Sequence, residues 1–389
     1  MRFGYAVAAL AFLAMASPAG AADSVKIGFI NTFSGPQAII GKHQRAGYDL
    51  AMEELGGKIG GLPATTVYGD DQVKPDVGRQ VVDAMLKRDK VDFVVGEIWS
   101  NVLMAIRQPI VDSKTIMIIT NAGASPMGGK LCSPYIFTTS WNNDQNAEAT
   151  GKLMNDDHVD DVFIMAPNYQ AGKDNVNGFK HNYKGKIKGE ILFPINASDY
   201  QAELSQLRAA KPKALFIFAP GSMGIAFLKQ WQASGLGQTV KLYTVFTVDY
   251  LTLPIIGEAA LGSIHTNYWD PEGKFPANVK FVNDFKKKYG FMPSHFAAQA
   301  YDAPFLLDSA VKAVKGDLNN KMGLIKALEK ANFASVRGPF TYNTNHVPIQ
   351  NFYKREVERG PDGKPTIRTT GIVFADYKDS YYKECKMKY

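Results

Sequence analysis

Residues 91–120 read VDFVVGEIWSNVLMAIRQPIVDSKTIMIIT, and this stretch decides the fold. VDFVVG at 91–96 and TIMIIT at 115–120 are short, continuously apolar and rich in β-branched residues, as strands buried on both faces are. Between them Val102 to Val111 carries a helical pattern, so the unit reads strand, helix, parallel strand. Working outward, the same rhythm predicts a strand over Val25 to Asn31, a helix over His43 to Leu55, a strand over Ala64 to Tyr68 and a helix over Gln80 to Arg88. After Ser140 it starts over. A helix near Glu148 precedes DVFIMA 161–166, then come a helix after Gly172, EILFPI 190–195, a helix over Gln201 to Ala210 and ALFIFA 214–219. A helix around Leu228, KLYTVF 241–246 and GSIHTNYW 262–269 follow, then helices over His295 to Val314 and Lys321 to Ala331. PFTYN 339–343, NFYKREVE 351–358 and TTGIVFA 369–375 read as closing strands, with a turn at Gly360-Pro361-Asp362-Gly363. A chain of 389 residues exceeds one comfortable α/β core, so two similar lobes are expected.

The amino terminus points out of the cytoplasm. One charge at Arg2, the apolar run AVAALAFLAMA and the small-residue site Ala19-Gly20-Ala21 form the three-part pattern of a signal peptide over residues 1–22. The run is shorter than the roughly 20 apolar residues that a membrane span needs. With no Cys at the cleavage site, a free periplasmic protein is expected rather than a lipoprotein. Cys132 and Cys385 are the chain's two cysteines, and in an oxidising compartment they are expected to pair.

Without the leader, 43 basic and 37 acidic side chains leave a charge of +6. Lysines are dispersed, and no basic stretch interleaved with aromatics suggests a nucleic-acid groove. The excess supports a weak preference for anions. Catalytic signatures are lacking: PGSMG 220–224 is not a nucleophile elbow, and the glycines of 56–61 follow a helix where a dinucleotide fingerprint follows a strand. The six histidines show no paired metal spacing, so neither metal nor cofactor is expected. Asp70-Asp71, neighbours on an extended segment, should point to opposite faces and serve structure.

Five segments in order carry a family resemblance: IGFINTFSGPQAIIG 27–41, GGKIGGLPATTVYGDDQVKPDVG 56–78, VVGEIWS 94–100, TNAGASP 120–126 and YQAG 169–172. Together the chain resembles type I periplasmic binding proteins of the leucine/isoleucine/valine-binding kind. The resemblance implies two Rossmann-like lobes joined by three crossovers. Residues 23–141 with 270–345 would form one lobe and 142–269 with 346–389 the other. It implies a monomeric receptor, not an enzyme, which closes on a small molecule by a hinge and delivers it to an ABC permease.

The resemblance also implies site positions. Ligands of parallel sheets bind beyond the carboxyl ends of strands, where helices begin. Ser100 holds that place, and its hydroxyl with the free N–H groups of the following helix would suit a carboxylate. Taken alone, such a serine is more often only a helix cap. Ala122 and Ala124 fall on the two main-chain contact positions, and Ala124 replaces a threonine that helps hold an ammonium in amino-acid binders. The acidic partners of that ammonium align with Phe246 and Asn142, with Asp249 as the substitute if the alignment is three residues out. An unpaired buried ammonium costs several kcal/mol, roughly. Trp99, Tyr169, Phe246 and Trp269 fall on cleft positions, where aromatic walls suit a planar ring. The implied ligand is an aromatic carboxylate of benzoate or hydroxycinnamate type, with a branched-chain or other amino acid or amide as the second reading.

Overall fold

The computed structural model describes residues 22–389. The expected leader, apart from Ala22, lies outside them. The strands are β1 (Val25–Asn31), β2 (Lys58–Ile59), β3 (Leu62–Asp70), β4 (Phe93–Gly96), β5 (Ile116–Ile119), β6 (Ile136–Thr138), β7 (Asp161–Pro167), β8 (Lys186–Phe193), β9 (Ala214–Phe218), β10 (Lys241–Val245), β11 (Ile264–Asn267), β12 (Thr341–Tyr342), β13 (Pro348–Arg359) and β14 (Pro365–Tyr377). The helices are α1 (Ala38–Glu54), α2 (Pro75–Lys87), α3 (Ser100–Asp112), α4 (Ser125–Gly128), α5 (Asn143–Asp156), α6 (Gln170–Asn182), α7 (Gln201–Ala210), α8 (Ser222–Ser234), α9 (Leu253–Ile256), α10 (Pro276–Tyr289), α11 (His295–Ala313) and α12 (Lys321–Lys330).

The strands form two sheets. One has the order β2-β3-β1-β4-β5-β6 and is parallel except for the short β2. The other runs β12-β13-β11-β10-β9-β7-β8, with β14 antiparallel to β13 at its end. Each parallel core is doubly wound, so each has a switch point: between β1 and β4 in the first sheet, between β7 and β9 in the second. The chain passes from the first sheet to the second at 139–142, returns at 268–275 to helices of which α11 packs on α1, and re-enters the second sheet at β12. This is the two-lobed α/β architecture that the strand rhythm foreshadows.

The apolar runs explain the central strands. Phe93, Val94 and Val95 are fully buried, as are Ile116, Met117 and Ile118 beside them. Several bounds differ from the sequence reading. β3 extends past both ends of the expected 64–68, because β2 pairs with it at Leu62 and Pro63 and β1 pairs with it as far as Asp70. β8 starts at Lys186, ahead of the apolar run, because β7 recruits the polar residues by parallel pairing. α10 and β6 have no counterpart in the sequence reading. α10 is lysine-rich and buries only Asn278, Phe281 and Phe285, and β6 is three residues long.

Candidate ligand-binding site

The two switch points face each other across a cavity of about 330 Å³, its mouth included. From the first sheet, the loop after β4 brings Trp99 and Ser100, and the loop after β5 brings Asn121. From the second, the loop after β7 brings Tyr169, the end of β9 Phe218, and the loop after β10 Phe246. The crossover adds Trp141, and Asn143 opens α5.

The loop after β4 is built from conformational exceptions. Gly96 has φ +126°, and a Cβ there would lie 2.0 Å from the Ile30 carbonyl oxygen, so only glycine fits. Glu97 follows with φ +131°. Its side chain folds back, and Oε1 accepts from the N–H groups of Ile98 and Trp99 at 2.7 and 2.8 Å. The turn delivers Trp99 as the N-cap residue of α3 and Ser100 as its first residue. Ser100 makes no capping bond; its hydroxyl accepts from Asn143 Nδ2 at 3.0 Å. A serine serving only as a cap would turn its oxygen to its own helix instead. Asn143 bridges, since the same Nδ2 also donates to Asp174 Oδ2 at 2.9 Å.

The walls are rings in mutual contact. Trp99 lies 5.7 Å from Tyr169, Tyr169 6.3 Å from Phe218, Phe218 6.3 Å from Phe246, and Phe246 stacks on Trp141 at 4.4 Å. Phe246 takes φ +52°, an uncommon backbone for a bulky residue, and is held there between Trp141 and the His295 ring at 4.8 Å. Burial keeps His295 far below its ordinary pKa, so the stacked imidazole is neutral. Burial also raises the Tyr169 phenol, so it stays protonated.

Four of the sequence-derived positions therefore meet in one cavity: Trp99, Ser100, Tyr169 and Phe246. The other four do not. Ala122 and Ala124 line a neighbouring cavity behind their loop, with Met127, Phe137 and Asn142. Gly123 sets that placement, because its Cα packs against the crossover and a Cβ would lie 2.5 Å from the Trp141 carbonyl oxygen. The Ala122 N–H is already given to the Glu97 carbonyl at 2.9 Å. Asn142 is the N-cap of α5, its N–H accepted by Gln145 Oε1 at 2.9 Å. Trp269 packs on Phe281, and its indole N–H donates to Asn278 Oδ1 at 2.9 Å, away from the cavity. Asp249 does not line it either: Oδ1 accepts from the N–H groups of Leu251 and Thr252, and burial lifts its carboxyl to about 6. Asp70 ends β3 and Asp71 follows it, fully buried, with Oδ1 accepting from Thr32 and from the Val73 N–H.

Sequence reasoning missed Trp141, Asn143, Asn121 and Phe218. The last two had a usable signal, since each stands at the carboxyl end of an apolar strand. Cys132 and Cys385 form a disulfide across 253 residues. Among the described residues no group of acidic, His or Cys side chains is arranged to hold a metal, and no helix is long and apolar enough to cross a membrane.

Comparisons with known proteins identify the family and match the overall fold. A solute-binding protein of an ABC transporter from R. palustris, solved in complex with benzoate, superposes with a TM-score of 0.88 at 30% identity, covering 93% of this chain and 99% of that one. A second from R. palustris, in complex with 4-hydroxybenzoate, gives 0.85 at 26% identity over 92% of this chain and 99% of that one. Leu/Ile/Val-binding protein homolog 6 of Brucella melitensis is 28% identical over 370 residues, 92% of this chain and 94% of the relative. The family model described as periplasmic binding protein matches residues 24–364. The chain belongs to that family of periplasmic binding proteins, the solute-binding receptors of ABC transporters.

Proposed function

We propose that this receptor captures a small aromatic carboxylate of benzoate or hydroxycinnamate type, closing its two lobes over it by a hinge and presenting it to an ABC permease. One observation carries the reading: the cavity is walled by Trp99, Trp141, Tyr169, Phe218, Phe246 and Phe296, and no Asp, Glu, Lys, Arg or His lines it. A zwitterionic amino acid would bury its ammonium there without an acceptor carboxylate, at a cost of several kcal/mol, roughly. A carboxylate fares better, because the first N–H groups of α3 and the Ser100 hydroxyl face the cavity end of the helix, where the dipole favours negative charge. The rings would flank a planar ligand on the remaining sides. The benzoate and 4-hydroxybenzoate complexes of the R. palustris relatives support the same class. For the lobes we propose residues 23–141 with 270–345 and 142–269 with 346–389, a partition supported by the separate sheets of β1 to β6 and β7 to β11 and by the packing of α11 on α1, although β12 pairs into the second sheet.

A thermal-shift series tests the reading with benzoate, 4-hydroxybenzoate, coumarate, phenylalanine, benzamide and leucine. An acid present at 100 times its Kd should stabilise the protein by about 2.7 kcal/mol. Phenylalanine, benzamide and leucine should trail. Tight leucine binding with every aromatic acid silent would overturn the proposal.

A further inference from the structure

Beneath the Trp99-Ser100 turn lie two carboxyl groups that ligand capture as described does not use. Asp71, following β3, and Glu97, following β4, are both fully buried. Each has one oxygen committed. Asp71 Oδ1 accepts from Thr32 Oγ1 and from the Val73 N–H, both at 2.6 Å. Thr32 Oγ1 in turn accepts from the Trp99 indole N–H at 2.8 Å. Glu97 Oε1 takes the N–H groups of Ile98 and Trp99. Thus one carboxyl holds the ring of Trp99 through a threonine, and the other holds its backbone.

The second oxygens, Asp71 Oδ2 and Glu97 Oε2, are buried and receive no hydrogen from any other described group. The two side chains lie within hydrogen-bonding reach of each other. Neither makes an ion pair among the described residues. The charged group that faces them is Asp70 on β3, another acid, while the β1 loop and the starts of α2 and α3 contribute only Thr32 and backbone N–H groups. Two buried carboxylates in contact without a cation are strongly unfavourable, and one proton between the free oxygens satisfies both.

We propose that Asp71 and Glu97 share one solvent-derived proton and, by holding it, position Trp99 and Ser100 to receive the anionic ligand, so that capture of the anion is coupled to retention of a proton. The inference rests on the anionic ligand proposed above for its binding arm only. Burial raises Glu97 well above the usual carboxylate range, with the Asp71 charge adding to it, and burial raises Asp71 as well. A raised folded-state value means that the contribution is present at low pH and is lost as pH climbs through it. The pair behaves as one coupled unit, so no separate value belongs to either residue. Above that range the doubly charged pair repels, and the strained turn at Glu97 loses the contact that keeps it closed.

Two measurements test this. Without ligand, the melting temperature of wild type should fall with rising pH more steeply than that of Glu97→Gln or Asp71→Asn, each of which supplies a permanent donor to the partner oxygen. With benzoate as probe, wild-type affinity should drop by up to about tenfold per pH unit across the titration, while Glu97→Gln loses that slope and binds more tightly than wild type at the alkaline end of the series. Glu97→Ala, which cannot support the turn, should bind weakly at every pH. Parallel melting curves for wild type and both isosteric variants overturn the shared proton, and parallel affinity profiles overturn its coupling to ligand capture. If benzoate and the other acids fail to bind, the ligand reading falls, and the ligand-free melting comparison still decides the proton.

Discussion

The two sides of the cavity use one geometry for different chemistry. Trp99, Ser100 and Asn121 stand at strand ends of the first sheet, as Tyr169, Phe218 and Phe246 do in the second. The first side is wired by hydrogen bonds. Asn121 Nδ2 donates to the Ile98 carbonyl at 2.8 Å, its Oδ1 accepts from Gln299, and Glu97 and Thr32 hold Trp99. The second side is held by ring packing, with Phe246 clamped between Trp141 and His295. Wired groups fix where a ligand's polar end must sit, because moving them breaks bonds. Packed rings supply area and accept any flat partner of the right thickness.

The largest effect expected from breaking this contrast is on the packed side. Phe246→Ala should lower stability by about 3–5 kcal/mol, seen as a shift in the urea midpoint, because a fully packed ring leaves a cavity and its neighbours lose their stacking partner. A loss below about 1 kcal/mol would mean that the wall is not held by packing. Next comes the bond that joins the tail to the loop after α4. Replacing Cys132 and Cys385 with serine should cost about 2–5 kcal/mol in thermal unfolding while leaving affinity below the transition unchanged. A drop in affinity there would show that the tail helps shape the cavity.

On the wired side, Ser100→Ala should weaken an acid ligand by about 1–3 kcal/mol in calorimetric titration and barely alter folding, since one bond to a charged group goes while the helix N–H groups remain. Unchanged affinity with reduced stability would return Ser100 to a structural role. The smallest change sharpens the division between area and polarity. The Tyr169 hydroxyl donates to no described residue, so Tyr169→Phe should alter benzoate binding by no more than about 0.5–1.5 kcal/mol. A larger loss would mean that the second side also recognises polarity.

Much of this was legible in the chain, and the exceptions share a cause. Strands such as β4, β5 and β9 announce themselves because burial on both faces demands unbroken apolar runs. Trp99, Ser100, Tyr169 and Phe246 were implied by the family resemblance, and each stands at a strand end, where the chain carries a local signal. Trp269 was misplaced because an aromatic after a strand reads the same whether it faces a cleft or a helix, and here α10 supplies Phe281 and Asn278 to cover it. Asn143 could not be found, because its role exists only when α5 meets Ser100 across the cleft. The Asp71–Glu97 contact is more distant still: it needs the positive φ at Glu97 to turn an acid back beneath its own strand.

The disulfide changes how the covalent chain is connected. Residues 132–385 form a closed covalent ring through the Cys132–Cys385 bridge. The turn joining β13 to β14, with Pro361, Asp362 and Gly363 exposed, is the kind of surface tip that proteases cut first, and it lies inside the ring. A nick there opens the ring without dividing the molecule. The cut protein keeps its mass under oxidising conditions, and the break declares itself only when the sulfur bridge is reduced.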